Sequence, residues 1–252
     1  MKYLRTSDLA RAVGIHPNTV RRFVDRKLIP PVERSPAGYR RFTQRHLDFL
    51  RLACLIYMAN FAGRTIRQSG YHIVQLAVAD DLGGALELAH QHLGLILAER
   101  AHANAAAGLL DRWAQGAILD AGNRPLQIGQ AASLLGVSID ILRNWERNGL
   151  IQIPRNPANG YRRYGSQEIS RLRVIRTLSR AGYSLSAILR MLLQFDRGER
   201  KNLRQALDTP SPDEDVFTAF DRWISTLNEH EQRAHQAIAL LEEMLAKEAS
   251  QA

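Results

Sequence analysis

The feature that most constrains this chain is that it repeats itself. Shifted by 122 positions, the run from Leu4 to Phe42 lies over Leu126 to Tyr164 without a gap. Ten of the 39 columns are identical, among them Ala10/Ala132, Gly14/Gly136, Arg21/Arg143 and Gly38-Tyr39-Arg40-Arg41/Gly160-Tyr161-Arg162-Arg163. Unrelated segments of ordinary composition share about two or three. Conservative pairs such as Ile15/Val137 and Phe23/Trp145 extend the match. The period is too long for a solenoid, so the chain reads as two copies of one domain.

The net charge of +9 follows the repeat. Residues 1–51 carry +8 and residues 125–200 carry +7, whereas residues 52–124 and 201–252 carry −1 and −5. That is the footprint of two anion-binding units, each followed by a segment that does not touch the anion. Thirty of the 34 cations are arginine, the better partner of phosphate and guanine; a GC-rich genome would give the same excess. The one cysteine, Cys54, sits in the apolar run Leu52–Ile56 and reads as a buried, inert thiol. A lone cysteine excludes an intramolecular disulfide framework and a cysteine-based zinc finger. No stretch approaches 18 apolar residues, and Met1–Thr6 lacks an apolar signal core. The expectation is a soluble cytoplasmic protein with no membrane partner.

Each copy reads as helix, tight turn, helix and wing. In the first, Thr6 caps a helix over about Ser7–Val13, Gly14 breaks it, and Pro17 opens a second helix running to about Lys27. In the second, Gly129–Leu135 is the first helix, Gly136 the turn and Ser138 the cap of the next. Apolar Leu9, Val13, Ile15, Val20, Phe23 and Val24 have the spacing of two short packed helices. This geometry aims the second helix at a major groove. Wing strands are expected to begin at Leu28-Ile29 and Leu150-Ile151 and to turn at Ala37-Gly38 and Asn159-Gly160. They return through Tyr39–Phe42 and Tyr161–Tyr164, with alternation sending the aromatics to one face and the arginines partly to the other.

The series Leu-Gly-Val-Ser-x-x-x-Leu-Arg-x-Trp-Glu-x-x-Gly-Leu-Ile, then Gly-Tyr-Arg-Arg-Tyr, between Leu135 and Tyr164 resembles the winged helix-turn-helix domain of MerR-type bacterial transcription regulators. Residues Ile169–Leu193 look like that family's next two helices. The first copy matches through Val13-Gly14-Ile15, Thr19–Phe23 and Gly38–Phe42. Together the matches cover about two-thirds of the chain. The first copy departs after about Leu55: Gly70-Tyr71-His72-Ile73 matches Gly182-Tyr183-Ser184-Leu185 at an offset of 112, which implies about ten extra residues between its third and fourth helices.

Two further segments have heptad-like apolar spacing. One is Phe217, Phe220, Ile224, Leu227, Ala234, Ile238, Leu241 and Leu245, interrupted at Glu231; the other is Leu86, Ala89, Leu93, Ile96, Ala103, Ala107 and Leu110, with Arg100 as the misfit. Pro210 and Pro212 mark a boundary, and Asp213-Glu214-Asp215 suit a helix N-terminus. The expected fold is mainly α: duplicated winged helix-turn-helix domains, each followed by a long coiled-coil-like helix. The boundaries are 1–80 for the first winged domain, 81–119 for a helical arm, 120–124 for a linker, 125–200 for the second winged domain and 213–249 for a C-terminal antiparallel coiled-coil helix. The resemblance implies dimers that pair such helices antiparallel. With so short a linker, one chain can mimic that dimer; an ordinary homodimer through residues 217–245, with four winged domains, is the alternative.

The candidate DNA-binding residues are Asn18, Thr19 and Arg22 on the first recognition helix, with Asp140, Ile141 and Asn144 as counterparts. Arg22 suits guanine and Asn144 suits adenine. By resemblance Arg21/Arg143, Tyr39/Tyr161 and Arg40/Arg162 lie near the phosphate backbone, with Arg41/Arg163 adding to it. A salt bridge is the alternative for Arg21 and Arg143, and wing packing for the two tyrosines. Phe23 and Trp145 read as core. His230-Glu231 and His235 have the wrong spacing for a zinc site on a helix, and there is no phosphate loop, dinucleotide fingerprint or nucleophile motif, so no enzyme and no cofactor is expected. Relatives that sense metals cluster cysteines near the long helix, which one cysteine cannot do. No motif marks an effector site; Ile73, Trp113 and Trp223 are the candidate lining. The resemblance implies a regulator that distorts a promoter spacer for RNA polymerase. A DNA-bending architectural or recombination accessory protein is the alternative.

Overall fold

The computed structural model describes residues 3–60, 62–116, 124–209 and 222–250. The chain divides into two compact units. The first comprises residues 1–98 with 226–252, the second residues 99–225.

In the first unit, α1 (Thr6–Ala12) and α2 (Pro17–Asp25) make the helix-turn-helix. Thr6 is the first residue of α1 and not its cap; the entry is held by the Arg5 N–H donating to Asp8 Oδ2 at 2.8 Å. Gly14 takes the turn at φ +68°. Pro17 opens α2, and the Asn18 N–H donates to His16 Nδ1 at 3.2 Å. α2 ends at Asp25, earlier than the expected Lys27, because Lys27 itself turns left-handed at φ 55°. The wing is β1 (Glu33–Arg34) paired antiparallel with β2 (Arg40–Arg41), in the register Arg34 with Arg40. Leu28 and Ile29 start no strand: they are buried beneath α2 with Val20, Phe23 and Phe42. Phe42 exchanges two backbone hydrogen bonds with Leu4, at 2.8 and 3.1 Å, closing the wing onto the chain start.

α3 (Gln44–Tyr57) and α4 (Arg64–Val78) follow, then α5 (Leu82–Ala114), which begins in the first unit and ends in the second. The Thr43 N–H donates to His46 Nδ1 at 3.1 Å, and the ring's Nε2 donates to Pro31 O at the same distance, pinning the wing to α3. Only six residues separate α3 from α4, so the expected insertion there is overturned. Gly70 lies inside α4, where a Cβ would come 2.9 Å from Ile56 Cγ2. It permits close helix packing and is no counterpart of the turn glycine Gly182.

The second unit repeats the module: α6 (Ile128–Leu135), α7 (Ile139–Arg147), α8 (Ser166–Arg180) and α9 (Leu185–Asp196), with α10 (Leu203–Asp208) added. Gly136 is left-handed at φ 58° and the Ser138 hydroxyl caps α7 by accepting the Ile141 N–H at 3.2 Å. The Leu126–Tyr164 pair repeats the Leu4–Phe42 exchange at 2.8 and 2.9 Å. The Gly165 N–H donates to Glu168 Oε2 at 2.8 Å, the place held by Thr43 and His46 in the first unit. As in the first copy, Leu150 and Ile151 are core and not strand. The wing pairs Arg155 with Arg162 by a single bridge. At its tip Gly160 has positive φ and Asn159 does not, so the connection is a longer loop and not the two-residue turn that Asn-Gly favours.

The last helix, α11 (Trp223–Ala249), starts in the second unit and ends in the first. Within the first unit, Leu227, Ala234, Ile238 and Leu241 are buried as the heptad spacing predicts. A second row, Thr226, His230, Ala237, Leu240 and Met244, is buried too. The helix therefore serves a globular core and not a two-stranded seam alone. It runs antiparallel to the start of α5: Arg45 bridges Asp80 and Glu248 at one end, and His92 faces His230 at the other. In the second unit the end of α5 packs on α9 and α10: Trp113 stacks on Phe195 at 4.1 Å, Tyr183 Oη donates to Ala103 O at 3.3 Å, and Arg204 pairs with Asp111 at 2.5 Å. The expected linker residues 120–123, Pro210, Pro212, Asp213–Asp215, Phe217 and Phe220 lie outside the described residues.

Candidate nucleic-acid interface

In the first unit, Val20 and Phe23 bury one side of α2. Asn18, Arg21 and Arg22 are therefore exposed on the other side, with Thr19 half-buried. Arg21 Nη1 donates to Asn18 Oδ1 at 2.8 Å, which holds both side chains along the first turn. Arg22 has no ion pair among the described residues.

In the second unit, Leu142 and Trp145 are the buried pair, so Trp145, like Phe23, is core. Asp140, Ile141 and Arg143 are exposed. Arg143 Nη1 lies 3.3 Å from Asp140 Oδ1, the salt bridge that was the alternative reading of this arginine. Asn144 is half-buried, and its Oδ1 accepts from Asn148 Nδ2 at 3.0 Å.

Both wings are tied to the end of their recognition helix by the same arginine. Arg40 Nη2 reaches Asp25 Oδ1 at 3.3 Å, and Arg162 Nε donates to Glu146 Oε2 at 2.8 Å. The Arg162–Glu146 pair is half-buried and the Arg40–Asp25 pair has an exposed carboxylate; each links the wing to the helix. Arg41 lies with its guanidinium 5.0 Å from the Tyr3 ring centroid, a cation–π contact. Arg163 is exposed. Tyr39 and Tyr161 project at 75% and 68% exposure, whereas Phe42 and Tyr164 are buried. The aromatics thus split between faces, correcting the expectation that they share one: positions three apart in an extended segment point oppositely.

Sequence comparison of the copies overlooked Arg34 and Arg155. Arg34 Nη1 donates to Gly38 O at 3.1 Å and Arg155 Nη1 to Gly160 O at 3.3 Å, each bracing its wing tip. The signal was there in Arg34-Ser35-Pro36-Ala37 and Arg155-Asn156-Pro157-Ala158. These match at an offset of 121, because the second wing tip holds one residue more, and an ungapped alignment at 122 hides them.

The model of the "MerR family regulatory protein" matches residues 5–42, from α1 through the wing of the first unit. That of the "MerR HTH family regulatory protein" matches residues 126–194, from α6 into α9 of the second. The chain carries two MerR-type regions. It is 37% identical over 75 residues to the mercuric resistance operon regulatory protein of Bacillus cereus, covering 30% of this chain and 57% of that one. It is 36% identical over 75 residues to a probable heavy metal-dependent transcriptional regulator of Haemophilus influenzae, covering 30% and 59%. To the HTH-type transcriptional repressor CarH of Myxococcus xanthus it is 32% identical over 75 residues, covering 30% and 25%. The chain thus spans 57% and 50% of the first two curated relatives it matches. No solved structure matches it.

The two MerR-type regions share wing and scaffold and differ in the residues that α2 and α7 carry away from the core. Asn18, Thr19 and Arg22 stand where the second region has Asp140, Ile141 and Asn144. Among the described residues no group of three or more His, Cys, Asp or Glu is placed to hold a metal ion, and His230 Nε2 is 2.7 Å from Asn60 O. No described helix is long and apolar enough to cross a membrane.

Proposed function

We propose that the chain is a sequence-specific double-stranded-DNA-binding transcription regulator of the MerR type, working as a single-chain pseudo-dimer. The observation that carries the reading is the repeated module: two recognition helices with exposed first turns, each locked by a wing arginine to a wing tip carrying an exposed tyrosine. Helix face and wing are the parts that read base edges and phosphates in this geometry. Asn18, Thr19 and Arg22 read one half-site, and Asp140 and Asn144 the other. Arg21, Tyr39, Arg41, Arg143, Tyr161 and Arg163 meet the backbone, and Arg40 and Arg162 hold the wings. Because the reading faces differ, the two half-sites differ.

The pseudo-dimer is supported by the make-up of the units. The first is completed by residues of α11, which follows the second winged region; the second is completed by the end of α5, which follows the first. One chain thereby supplies the exchange that a pair of chains would supply. Such an arrangement suits distortion of a promoter spacer for RNA polymerase in the cytoplasm. Selection from randomised duplex DNA, with the mass of the winning complex measured on the same sample, tests both parts. An imperfect inverted repeat held by one 28.4 kDa chain is expected. Two chains per repeat would refute the pseudo-dimer, and no enrichment would refute the regulator. Enrichment of recombination or attachment sites would point to the architectural role.

A further inference from the structure

The first unit holds a half-open cavity of about 790 Å³ that DNA reading does not use. Its walls come from the end of the recognition helix (Arg26), α3 (Tyr57), α4 (Arg67), α5 (His92) and α11 (His230). The size falls in the range of small-molecule sites, about 300–1,000 Å³.

Three properties of the wall define what fits. Tyr57 Oη and His92 Nδ1 are buried with no hydrogen-bond partner among the described residues, a state that native interiors rarely leave unfilled. Among the described residues, Arg26, Arg64 and Arg67 line the cavity without an ion pair and no carboxylate lines it, while the fourth arginine, Arg233, is held by Glu229 at 2.9 Å. Tyr57 and Tyr71 meet edge to face at 6.0 Å with their planes 85° apart, giving an aromatic corner. Burial holds the His92 ring and the Tyr57 phenol neutral, so both offer hydrogen bonds while the arginines supply the charge.

We propose that this cavity is a binding site for a small planar organic anion, an aromatic carboxylate or sulfonate. Its acidic group meets Arg64 and Arg67, its ring stacks on one of the two tyrosine rings and meets the other edge-on, and a polar substituent satisfies Tyr57 Oη and His92 Nδ1. Arg26 and Leu28 directly follow α2, so an occupant touches the end of the recognition helix. Use of the site to control DNA binding rests on the proposed function; binding itself does not.

The test is a fluorescence titration of the full chain with 8-anilinonaphthalene-1-sulfonate and with its neutral analogue N-phenyl-1-naphthylamine. One saturable sulfonate site is expected, with the neutral probe at least about tenfold weaker. Arg64→Gln and Arg67→Gln, both at exposed positions and so expected to fold, each weaken the sulfonate about tenfold. Tyr57→Phe weakens it severalfold, and Arg112→Gln, in the second unit, leaves it unchanged. No saturable binding, equal affinity for the two probes, or indifference to both α4 variants overturns the site. Probe binding by a chain that selects no DNA leaves the site standing and removes only its regulatory use.

Discussion

Lys247, near the end of α11, donates to the buried carboxylate of Asp48 on α3 at 3.1 Å, across 199 positions of sequence. Gln44 and Arg51 complete the shell at 3.2 and 3.3 Å. A buried charge is tolerated only with such partners, so the contact sets the register of α11 in the first unit beyond what apolar burial would fix. Asp48→Ala is expected to cost about 2–3 kcal/mol, since three donors lose their acceptor. Lys247→Ala is expected to cost about 1 kcal/mol or less, because its ammonium is partly solvated and Arg51 remains. Urea unfolding of the two variants reads the difference; equal and negligible losses would mean that the apolar stripe alone docks the helix.

Gly182 has φ +93°, and a Cβ there would fall 2.6 Å from Trp223 Cε2, while Trp223 Nε1 donates to Ala181 O at 2.7 Å. Gly182→Ala therefore adds backbone strain and displaces the indole. A loss of at least about 2 kcal/mol is expected, with a red-shifted tryptophan emission. Gly94→Ala, on α5 with open space around its Cβ position, is expected to be neutral or stabilising, and thermal melts of the pair compare the two.

The helix-turn-helix was legible because its signals are local: Pro17 at a helix start, Ser138 as a cap and Gly14 and Gly136 at turns each act within a few residues. Matching by residue letters failed where the same letters serve different ends. Gly70-Tyr71 copies Gly182-Tyr183 in sequence, yet one glycine lets two helices approach and the other takes a left-handed turn. Ile73, Trp113 and Trp223 were candidates for an effector site. Ile73 is core in the first unit, while Trp113 and Trp223 are engaged with Phe195 and Ala181 in the second. The cavity beside Tyr57, Arg67, His92 and His230 draws on four separate helices, and no periodicity joins such positions.

The reading face and the wing make separable predictions. Arg22→Ala removes a guanidinium that is exposed and has no ion pair among the described residues, and it is expected to relax choice at one base pair, at about 1–3 kcal/mol for the preferred base. Arg40→Ala frees the wing from Asp25 and is expected to weaken binding to all sequences alike. With six to ten phosphates contacted, wild-type affinity falls about 10³–10⁵-fold between 50 and 200 mM salt. Titrations on selected and random duplexes at several salt concentrations distinguish these effects. Parallel losses on both DNAs for the two variants would contradict the division of roles.

His92 carries a pH dependence of stability. Burial, with His230 beside it, lowers its pKa from 6.5 to about 4. The unfolded chain therefore binds a proton that the folded chain refuses between pH 6.5 and about 4. Stability is fully present above pH 6.5 and is lost as pH falls through that window, by up to about 3 kcal/mol, with no further loss from this group below it. His92→Leu removes the titration, so the variant's stability is expected to decline less steeply with acid than that of the wild type. Urea midpoints at half-unit steps from pH 7 to 4 measure the difference. A wild-type slope no steeper than the variant's would show that the ring takes up its proton in the folded state as readily as in the unfolded one.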